Sequence, residues 1–451
     1  MILRVSASIV LSFGLGILGL AQFEQGAPLP RKAFFGAQLS PLSPDKAKAM
    51  KVSPASVEVA RVIPGSSAEV MKLKVGDVIL SLNGKKTPTV PEFMGLMRTM
   101  YAGKPLSTKV LRDGQNLELS GTSVERPKQK GDGVTVEYSQ VLSQGKRIRV
   151  IATHPNGNGP FPTIFMIGGI GAYSTDGEFG SIAYGNILGQ LAKEYAIIRT
   201  EKPGQGDSEG PIYSELLFDT ELDAYVQSMR LTKSFPFVDK NRIAIFGHSM
   251  GGVFGPLVAQ TEKVAGLAVS GTISKTWNEY ILENTRRQSL LSGAKPDEVD
   301  KELADLAAVS QHLFYDDMTA QEIVRKYPKL KDAVNGQTPD GKTYSGVGLG
   351  FWQQLAKKNM AAAWLKTDTK VLALWGSTDF ISTQWDHEYI AEILNRRTPG
   401  SAEYLVVSNS DHGFSNTATM KESMEKWGTG KAAFNPNIVE ILRTWFKKTI
   451  G

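Results

Sequence analysis

Three residues lie in short sequence contexts that favour nucleophilic chemistry: Ser249 in G-H-S-M-G-G, Asp379 in G-S-T-D and His412 in D-H-G-F. A serine hydroxyl is a poor nucleophile until a neighbouring base takes its proton, and that base needs a carboxylate to orient it. The chain supplies these groups in the order nucleophile, acid, base. We therefore predict that the three residues form a catalytic triad for acyl transfer.

The residues around Ser249 predict a strand, a tight turn and a helix. The apolar run Ile243 to Phe246 stops at Gly247, and a helical pattern opens at Gly251. The G-x-S-x-G spacing suits this turn because a strained backbone leaves no room for side chains beside the serine. The alternative is that Ser249 only caps the helix.

Other residues compete for the roles of base and acid. The chain has five histidines, namely His154, His248, His312, His387 and His412. We expect His248 to face away from the neighbouring serine, and His412 to lie in a loop directly after a late strand. Asp386 and Asp411 compete with Asp379, but Asp411 adjoins His412 and is badly placed to reach the far ring nitrogen. The alternatives are a surface role for His412 and a helix cap or loop ion pair for Asp379.

An oxyanion hole needs two donors aimed at the developing negative charge. One is predicted to be the backbone N–H of Met250, directly after the nucleophile. The other should come from the loop Gly168-Gly169-Ile170-Gly171, where glycines let the backbone approach a substrate. We assign it to the N–H of Ile170, with Gly169 as the competing assignment and a plain glycine turn as the alternative.

The order of strand-like and helix-like segments predicts two units. Residues 33–125 contain short β-like runs and a helical pattern at 90–101, and the polar segment 126–133 reads as a linker. From residue 134 to 451, strands alternate with helices, including a predicted helix at 180–195. This alternation indicates a mostly parallel α/β sheet with helices on both faces. Residues 272–367 interrupt it with helix-like stretches and are predicted to be a cap over a pocket.

The composition and the N-terminal segment limit which cellular compartment and which partners we expect for the protein. The chain of 451 residues has no cysteine, which excludes disulfides and thiolate chemistry, and its net charge of +6 is scattered, so nucleic-acid binding is not expected. Residues 1–21 combine Arg4, an apolar run and a Gly19-Leu20-Ala21 site, which is typical of a signal peptide; a retained anchor is the alternative. We expect a periplasmic or extracellular protein without a lipid anchor, which touches the membrane only through this segment.

The segment Ala60 to Lys85, with its Pro64-Gly65-Ser66 turn and Gly76-Asp77-Val78-Ile79, resembles a bacterial PDZ domain of the HtrA type. The resemblance implies a small, mainly β domain that binds peptide C-termini or a protein partner. Its carboxylate-binding loop would be Phe34-Phe35-Gly36-Ala37, although the family usually has a larger apolar residue where Ala37 stands. The alternative is a domain that only packs on the enzyme or dimerises it.

Residues 134–451 resemble the α/β-hydrolase superfamily, because G-H-S-M-G-G, G-S-T-D and D-H-G-F occur together with the glycine-rich run Glu201 to Gly210. The usual histidine before the oxyanion glycine is replaced by Gly168. Glu201 and Lys202 could line the pocket or form a structural ion pair, and the latter is favoured. Arg286 and Arg287 could contact a substrate carboxylate, but a solvated cap helix is favoured.

These patterns together predict an exported serine hydrolase that cleaves carboxylic esters through an acyl-enzyme. The alternative is a serine peptidase, or a thioesterase, whose PDZ domain recruits peptides. A third hypothesis is that the protein is not an enzyme but a binding or scaffold protein that acts through its PDZ domain and whose hydrolase domain is inactive. We find no phosphate-binding loop, metal-ligand cluster or dinucleotide fingerprint in the sequence, so neither cofactor nor metal is predicted.

Overall fold

The structure of the protein is a computed structural model that describes residues 28–176 and 183–451. The predicted signal peptide, residues 1–21, lies outside the described residues, as does the start of the helix predicted at 180–195. None of the helices in the described ranges is both long and apolar enough to cross a membrane.

The N-terminal unit is a six-stranded sheet with three short helices. Its strands are β1 (Ala37–Pro41), β2 (Val57–Val62), β3 (Val78–Leu82), β4 (Lys85–Lys86), β5 (Pro105–Arg112) and β6 (Gln115–Thr122), and its helices are α1 (Pro44–Met50), α2 (Ser67–Val70) and α3 (Val90–Met97). Apolar side chains that include Val59, Phe93 and Val110 are fully buried and form its core. Helix α3 begins after the capping side chain of Thr89 and ends at Met97, earlier than predicted.

The second unit alternates strands and helices around a long helical insertion. Before the insertion lie β7 (Val134–Ser143), β8 (Lys146–Pro155), β9 (Phe161–Ile167), α4 (Ala183–Leu191), β10 (Ala196–Thr200), α5 (Phe218–Thr232), β11 (Val238–His248), α6 (Met250–Thr261) and β12 (Gly266–Ser270). The insertion contains α7 (Trp277–Leu291), α8 (Pro296–Ser310), α9 (Ala320–Lys326), α10 (Lys331–Gln337), β13 (Thr343–Tyr344), β14 (Val347–Gly348), α11 (Leu349–Ala356) and α12 (Met360–Lys366). After it lie β15 (Lys370–Gly376), α13 (Gln384–Arg397), β16 (Ala402–Val407), α14 (Met420–Lys426) and α15 (Asn437–Ile450).

Eight of these strands form one sheet in the order β16-β15-β12-β11-β9-β10-β8-β7. The pairs from β16 to β10 are parallel, whereas β8 runs antiparallel to both of its neighbours. Ile245 and Phe246 are successive residues of β11, both fully buried, and they belong to different apolar clusters. Because successive strand residues point to opposite faces, both faces of the sheet are covered. The predicted mostly parallel sheet with helices on both faces is confirmed.

Charged residues join the two units. Asp176, which follows β9, accepts hydrogen bonds from Arg31, which precedes the first unit, and from Arg149 of β8. The backbone N–H of Lys32 donates to Asp207 at 2.9 Å. Gln129, within the predicted linker, is buried and accepts from Arg199. The segments that flank the first unit are thus packed against the second one.

Candidate active site

Ser249 lies in the turn between β11 and α6, with φ 55° and ψ −122°. A non-glycine residue adopts a positive φ only where the surroundings impose it, and such strain concentrates at functional sites. A Cβ atom on Gly251 would lie 1.9 Å from the carbonyl oxygen of Ile167, and one on Gly247 would lie 2.5 Å from that of Gly251. The backbone therefore passes too close on both sides of the serine for any residue other than glycine.

The structure brings the three residues of the predicted triad together. Nε2 of His412 lies 3.0 Å from Oγ of Ser249, and Nδ1 of His412 lies 2.9 Å from Oδ2 of Asp379. Burial acts to raise the pKa of Asp379, but the charge of His412 and hydrogen bonds from His412 and Ser382 outweigh it, so the pKa lies below its ordinary value. Asp379 is therefore an ionised carboxylate that fixes the orientation of the His412 imidazole through this contact.

The competing acids have other partners. Asp386 accepts hydrogen bonds from the N–H and the hydroxyl of Ser274 and caps α13 together with Thr383. Asp411 accepts from the N–H of Ser415 at 2.7 Å and fixes the loop that carries His412. Of the three candidate carboxylates, Asp379 is the one that the structure pairs with His412.

Three of the other histidines lie elsewhere. His154 stacks on Phe237, His312 pairs with Asp316 in the insertion, and His387 is fully buried and accepts from the N–H of Thr272. His248 differs from the expectation that it faces away, because its ring packs 4.9 Å from that of His412 and lines the cavity beside Ser249.

Two backbone N–H groups at the cavity beside Ser249 are unpaired among the described residues. The N–H groups of Ile170 and Met250 have no acceptor among the described residues. The N–H of Gly169, the competing assignment, already donates to the hydroxyl of Tyr184 at 3.0 Å. The hydrogen bonding therefore favours Ile170 over Gly169 as the second donor, since a free N–H is what an oxyanion requires.

A network of hydrogen bonds that the sequence did not indicate links the loop Gly168 to Gly171 with His412. The hydroxyl of Tyr184 accepts from Gly169 N–H and bonds Nδ1 of His248, whose Nε2 lies 2.8 Å from the carbonyl oxygen of His412. Burial, together with the charge of His412, lowers the pKa of His248 to about 3, so the ring is neutral. Nε2–H then donates to His412, and Nδ1 accepts from Tyr184. Tyr184 and His248 thereby hold in place both the loop that carries Gly169 and the backbone of His412.

A cavity of about 360 Å³ opens at Ser249. The 272–367 insertion covers one side of it, as a cap would. No Lys, Arg, Asp or Glu side chain lines the cavity within the described residues. The lining comprises Gly169, Ile170, Ala183, Tyr184, His248, Ser249, Met250, Val253, Gly271, Thr272, Ile273, Trp277, Tyr280, Asn284, Tyr344, Ser345, Trp352, Ile381, Ser382, His412, Gly413, Phe414 and Trp427.

Glu201 and Lys202, for which the sequence left two roles open, stabilise loops near the cavity. Lys202 Nζ donates to the carbonyl of Gly169 at 2.6 Å and lies 3.4 Å from Glu221. Glu201 accepts from the N–H of Asp207 and burial raises its pKa. Lys202 and Glu201 therefore support the loops around the site from separate buried networks instead of pairing with each other.

Both arginines of α7, Arg286 and Arg287, make their contacts away from the cavity. Arg287 donates to the carbonyls of Phe380 and Ile381, and Arg286 pairs with Asp300. Neither guanidinium lines the cavity at Ser249. The suggestion that these arginines contact a substrate carboxylate finds no support in their positions.

The loop Phe34 to Ala37 leads into β1, and Gly36 has φ 70°. The residues Phe35 and Gly36 are buried, and their backbone N–H groups have no acceptor in the part of the chain that the structure describes. A concave set of unpaired N–H groups is suited to bind an anion such as a carboxylate.

Comparison with known families agrees with this architecture. A family profile described as PDZ domain matches residues 33–121, and one described as Alpha/beta hydrolase family matches residues 168–422. The second match covers more than half of the chain. The chain belongs to the alpha/beta hydrolase family and carries an N-terminal PDZ domain, and it is a hydrolase.

Similar proteins match only part of the chain. The periplasmic serine endoprotease DegP of Escherichia coli is 32% identical over 129 residues, which are 28% of this chain and 27% of DegP. The pH-dependent periplasmic endoprotease DegQ of the same organism is 28% identical over 130 residues, 27% of this chain and 29% of DegQ.

Solved structures resemble the larger unit. A thermophilic esterase from Thermogutta terrifontis is 14% identical, with a TM-score of 0.41 over 70% of this chain and 100% of the esterase. The esterase PF2001 of Pyrococcus furiosus is 11% identical, with a TM-score of 0.44 over 72% of this chain and 97% of the esterase. Neither likeness bears on the chemistry of this chain.

Within the described ranges, no cluster of side chains could hold a metal ion.

Proposed function

We propose that the protein is a serine hydrolase that cleaves carboxylic esters through an acyl-enzyme. The observation that carries the proposal is the continuous chain of contacts from Ser249 Oγ through His412 to Asp379, at 3.0 and 2.9 Å, beside two unpaired N–H groups. This combination supplies a nucleophile, a base, an orienting carboxylate and charge stabilisation.

In the proposed reaction, Oγ of Ser249 attacks the ester carbonyl while Nε2 of His412 takes its proton. The N–H groups of Ile170 and Met250 donate to the oxygen that becomes negative, and each such donor contributes about 3 kcal/mol of transition-state stabilisation. His412 then gives the proton to the leaving alcohol. Water, activated by the same imidazole, attacks the acyl-enzyme, and the acid is released.

The cavity supports esters over peptides. An extended peptide brings a row of backbone N–H and C=O groups that need partners, typically a strand edge. A cavity of about 360 Å³ with an apolar wall suits the acyl or alkyl group of a small ester better than it suits an extended peptide. A thioester reacts by the same steps and has a thiol as its leaving group.

The first test is labelling of the purified protein with a fluorophosphonate, followed by intact mass. Wild type should gain one adduct, whereas Ser249→Ala and His412→Ala should remain unlabelled while their circular dichroism stays native. A panel of acyl esters, matched thioesters and peptidyl amides then identifies the bond that is cleaved. An unlabelled wild type with native circular dichroism contradicts the proposal, and faster turnover of amides favours the peptidase alternative.

We also propose that the loop Phe34 to Ala37 of the PDZ domain binds the C-terminal carboxylate of a peptide or protein partner. Two buried and unpaired N–H groups, those of Phe35 and Gly36, support this role. The test compares, in the full-length protein, random peptide libraries with free and with amidated C-termini by fluorescence anisotropy. Only the free carboxylates should bind, and equal binding of both libraries would assign the domain a packing or dimerising role instead.

We further propose that the protein is exported to the periplasm or the exterior, with the PDZ domain at 33–125, a linker at 126–133, the hydrolase at 134–451 and a cap at 272–367. The apolar N-terminal run supports export, and DegP and DegQ, which match the PDZ region, are periplasmic by name. N-terminal sequencing of the protein from cell fractions tests this. Material that begins at Ala21 or Gln22 in the periplasm agrees with it, and uncleaved cytoplasmic material does not.

A further inference from the structure

The cap places aromatic side chains, and no charged ones, over Ser249. We infer that the group bound under the cap is an uncharged aromatic ring, an inference that rests on the proposed function and names its substrate class. Four aromatic residues from the insertion line the cavity: Trp277, Tyr280, Tyr344 and Trp352.

These rings form one ordered wall. The Trp277 and Trp352 rings are stacked, with centroids 4.5 Å apart and planes at 17°, and the Tyr280 ring also stacks on Trp277, with centroids 5.0 Å apart. Tyr344 meets Trp352 edge to face at 5.2 Å. Aromatic rings favour further aromatic partners in stacked or edge-to-face contact over saturated groups of equal size.

The absence of charge in the lining selects against ionised groups. Every described side chain around the cavity is neutral or apolar apart from the histidines of the site. A carboxylate or ammonium placed there would lose its hydration without gaining a partner, which is strongly unfavourable.

The test measures binding without turnover. Calorimetry on full-length Ser249→Ala compares methyl esters of phenylpropanoate, cyclohexylpropanoate and para-carboxyphenylpropanoate. The phenyl ester should bind about three- to tenfold more tightly than the cyclohexyl ester. The para-carboxy ester should bind at least about a hundredfold more weakly than the phenyl ester.

Failure of this inference can be separated from failure of the proposed function. Fluorophosphonate labelling of wild type together with equal affinity for the phenyl and cyclohexyl esters overturns the inference alone. Selective binding without labelling supports the pocket and overturns the serine mechanism. A preference for the para-carboxy ester also overturns the inference.

Discussion

The hydroxyl of Tyr184 holds two groups that the proposed mechanism needs in place, so Tyr184→Phe is the most informative substitution. The hydroxyl accepts from the N–H of Gly169, which precedes Ile170, and bonds Nδ1 of His248. His248 in turn bonds the carbonyl of His412. The substitution removes a single oxygen and leaves the aromatic ring.

The magnitude follows from the partners that are left unpaired. The Gly169 N–H and His248 Nδ1 both lose their partner, and each such buried group costs about 1–3 kcal/mol, so the free energy of unfolding should fall by about 2–6 kcal/mol. The freed loop no longer holds Ile170 N–H at the developing oxyanion. Since one such donor contributes about 3 kcal/mol when well placed, a partial loss should lower kcat about 10- to 100-fold. KM should change little, because Tyr184 supplies no charge to the substrate.

The assay measures kcat, KM and the rate of fluorophosphonate labelling for Tyr184→Phe beside Tyr173→Phe. Tyr173 is a matched control because its hydroxyl donates to the carbonyl of the same Gly169, at 2.9 Å. That carbonyl also accepts from Lys202, so it stays paired when the Tyr173 hydroxyl is removed. Tyr173→Phe should lose less than about tenfold in kcat. The reasoning is refuted if Tyr184→Phe keeps more than half of its kcat, or if the two variants lose the same amount.

Three further predictions concern titration, the triad acid and the contact between the units. The pKa of His248 is lowered from 6.5 to about 3, so below pH 6.5 the unfolded chain binds a proton that the folded protein excludes, and stability should fall as pH falls. Between pH 7 and pH 5 the part of this loss that comes from His248 is about 2 kcal/mol, so in denaturant titration the decrease should be smaller by about that amount in His248→Gln than in wild type. Asp379→Asn should lower kcat about 10⁴-fold, whereas Asp411→Asn should lower it less than about tenfold, and equal losses in steady-state assays would reverse the assignment of the acid. Asp176→Asn removes one of the two carboxylates that Arg31 and Arg149 share, the other being Asp207, and should cost about 1.5–3 kcal/mol in urea unfolding; a loss below about 1 kcal/mol would contradict the role of this ion pair.

Local backbone demands explain why much of the fold and the residues at the site could be predicted. Gly247 and Gly251 each lie two positions from Ser249, and the clashes that a Cβ atom would cause there involve the same turn and the neighbouring strand. Likewise, the fully buried part of β11, Ile243 to Phe246, is apolar throughout because both faces of the sheet are covered. Such features leave a pattern within a short window of sequence.

Other features depend on residues that are far apart in the chain. His248 was expected to face away from the serine, but its ring is held by Tyr184 and by the carbonyl of His412, which is 164 positions away. Helix α3 was predicted to continue to residue 101 and ends at Met97. Lys202 pairs with Glu221 and not with its neighbour Glu201.

The sequence by itself determined the two units and the strand-turn-helix at Ser249, because both follow from local periodicity and turn geometry, and it predicts the roles of Ser249, Asp379 and His412. Only the tertiary structure decided which carboxylate reaches His412, which N–H near Ser249 has no acceptor among the described residues and which side chains line the cavity. Those outcomes depend on the pairing of groups brought together by packing, and hydrogen-bond partners distant in the chain leave no periodic pattern in the sequence.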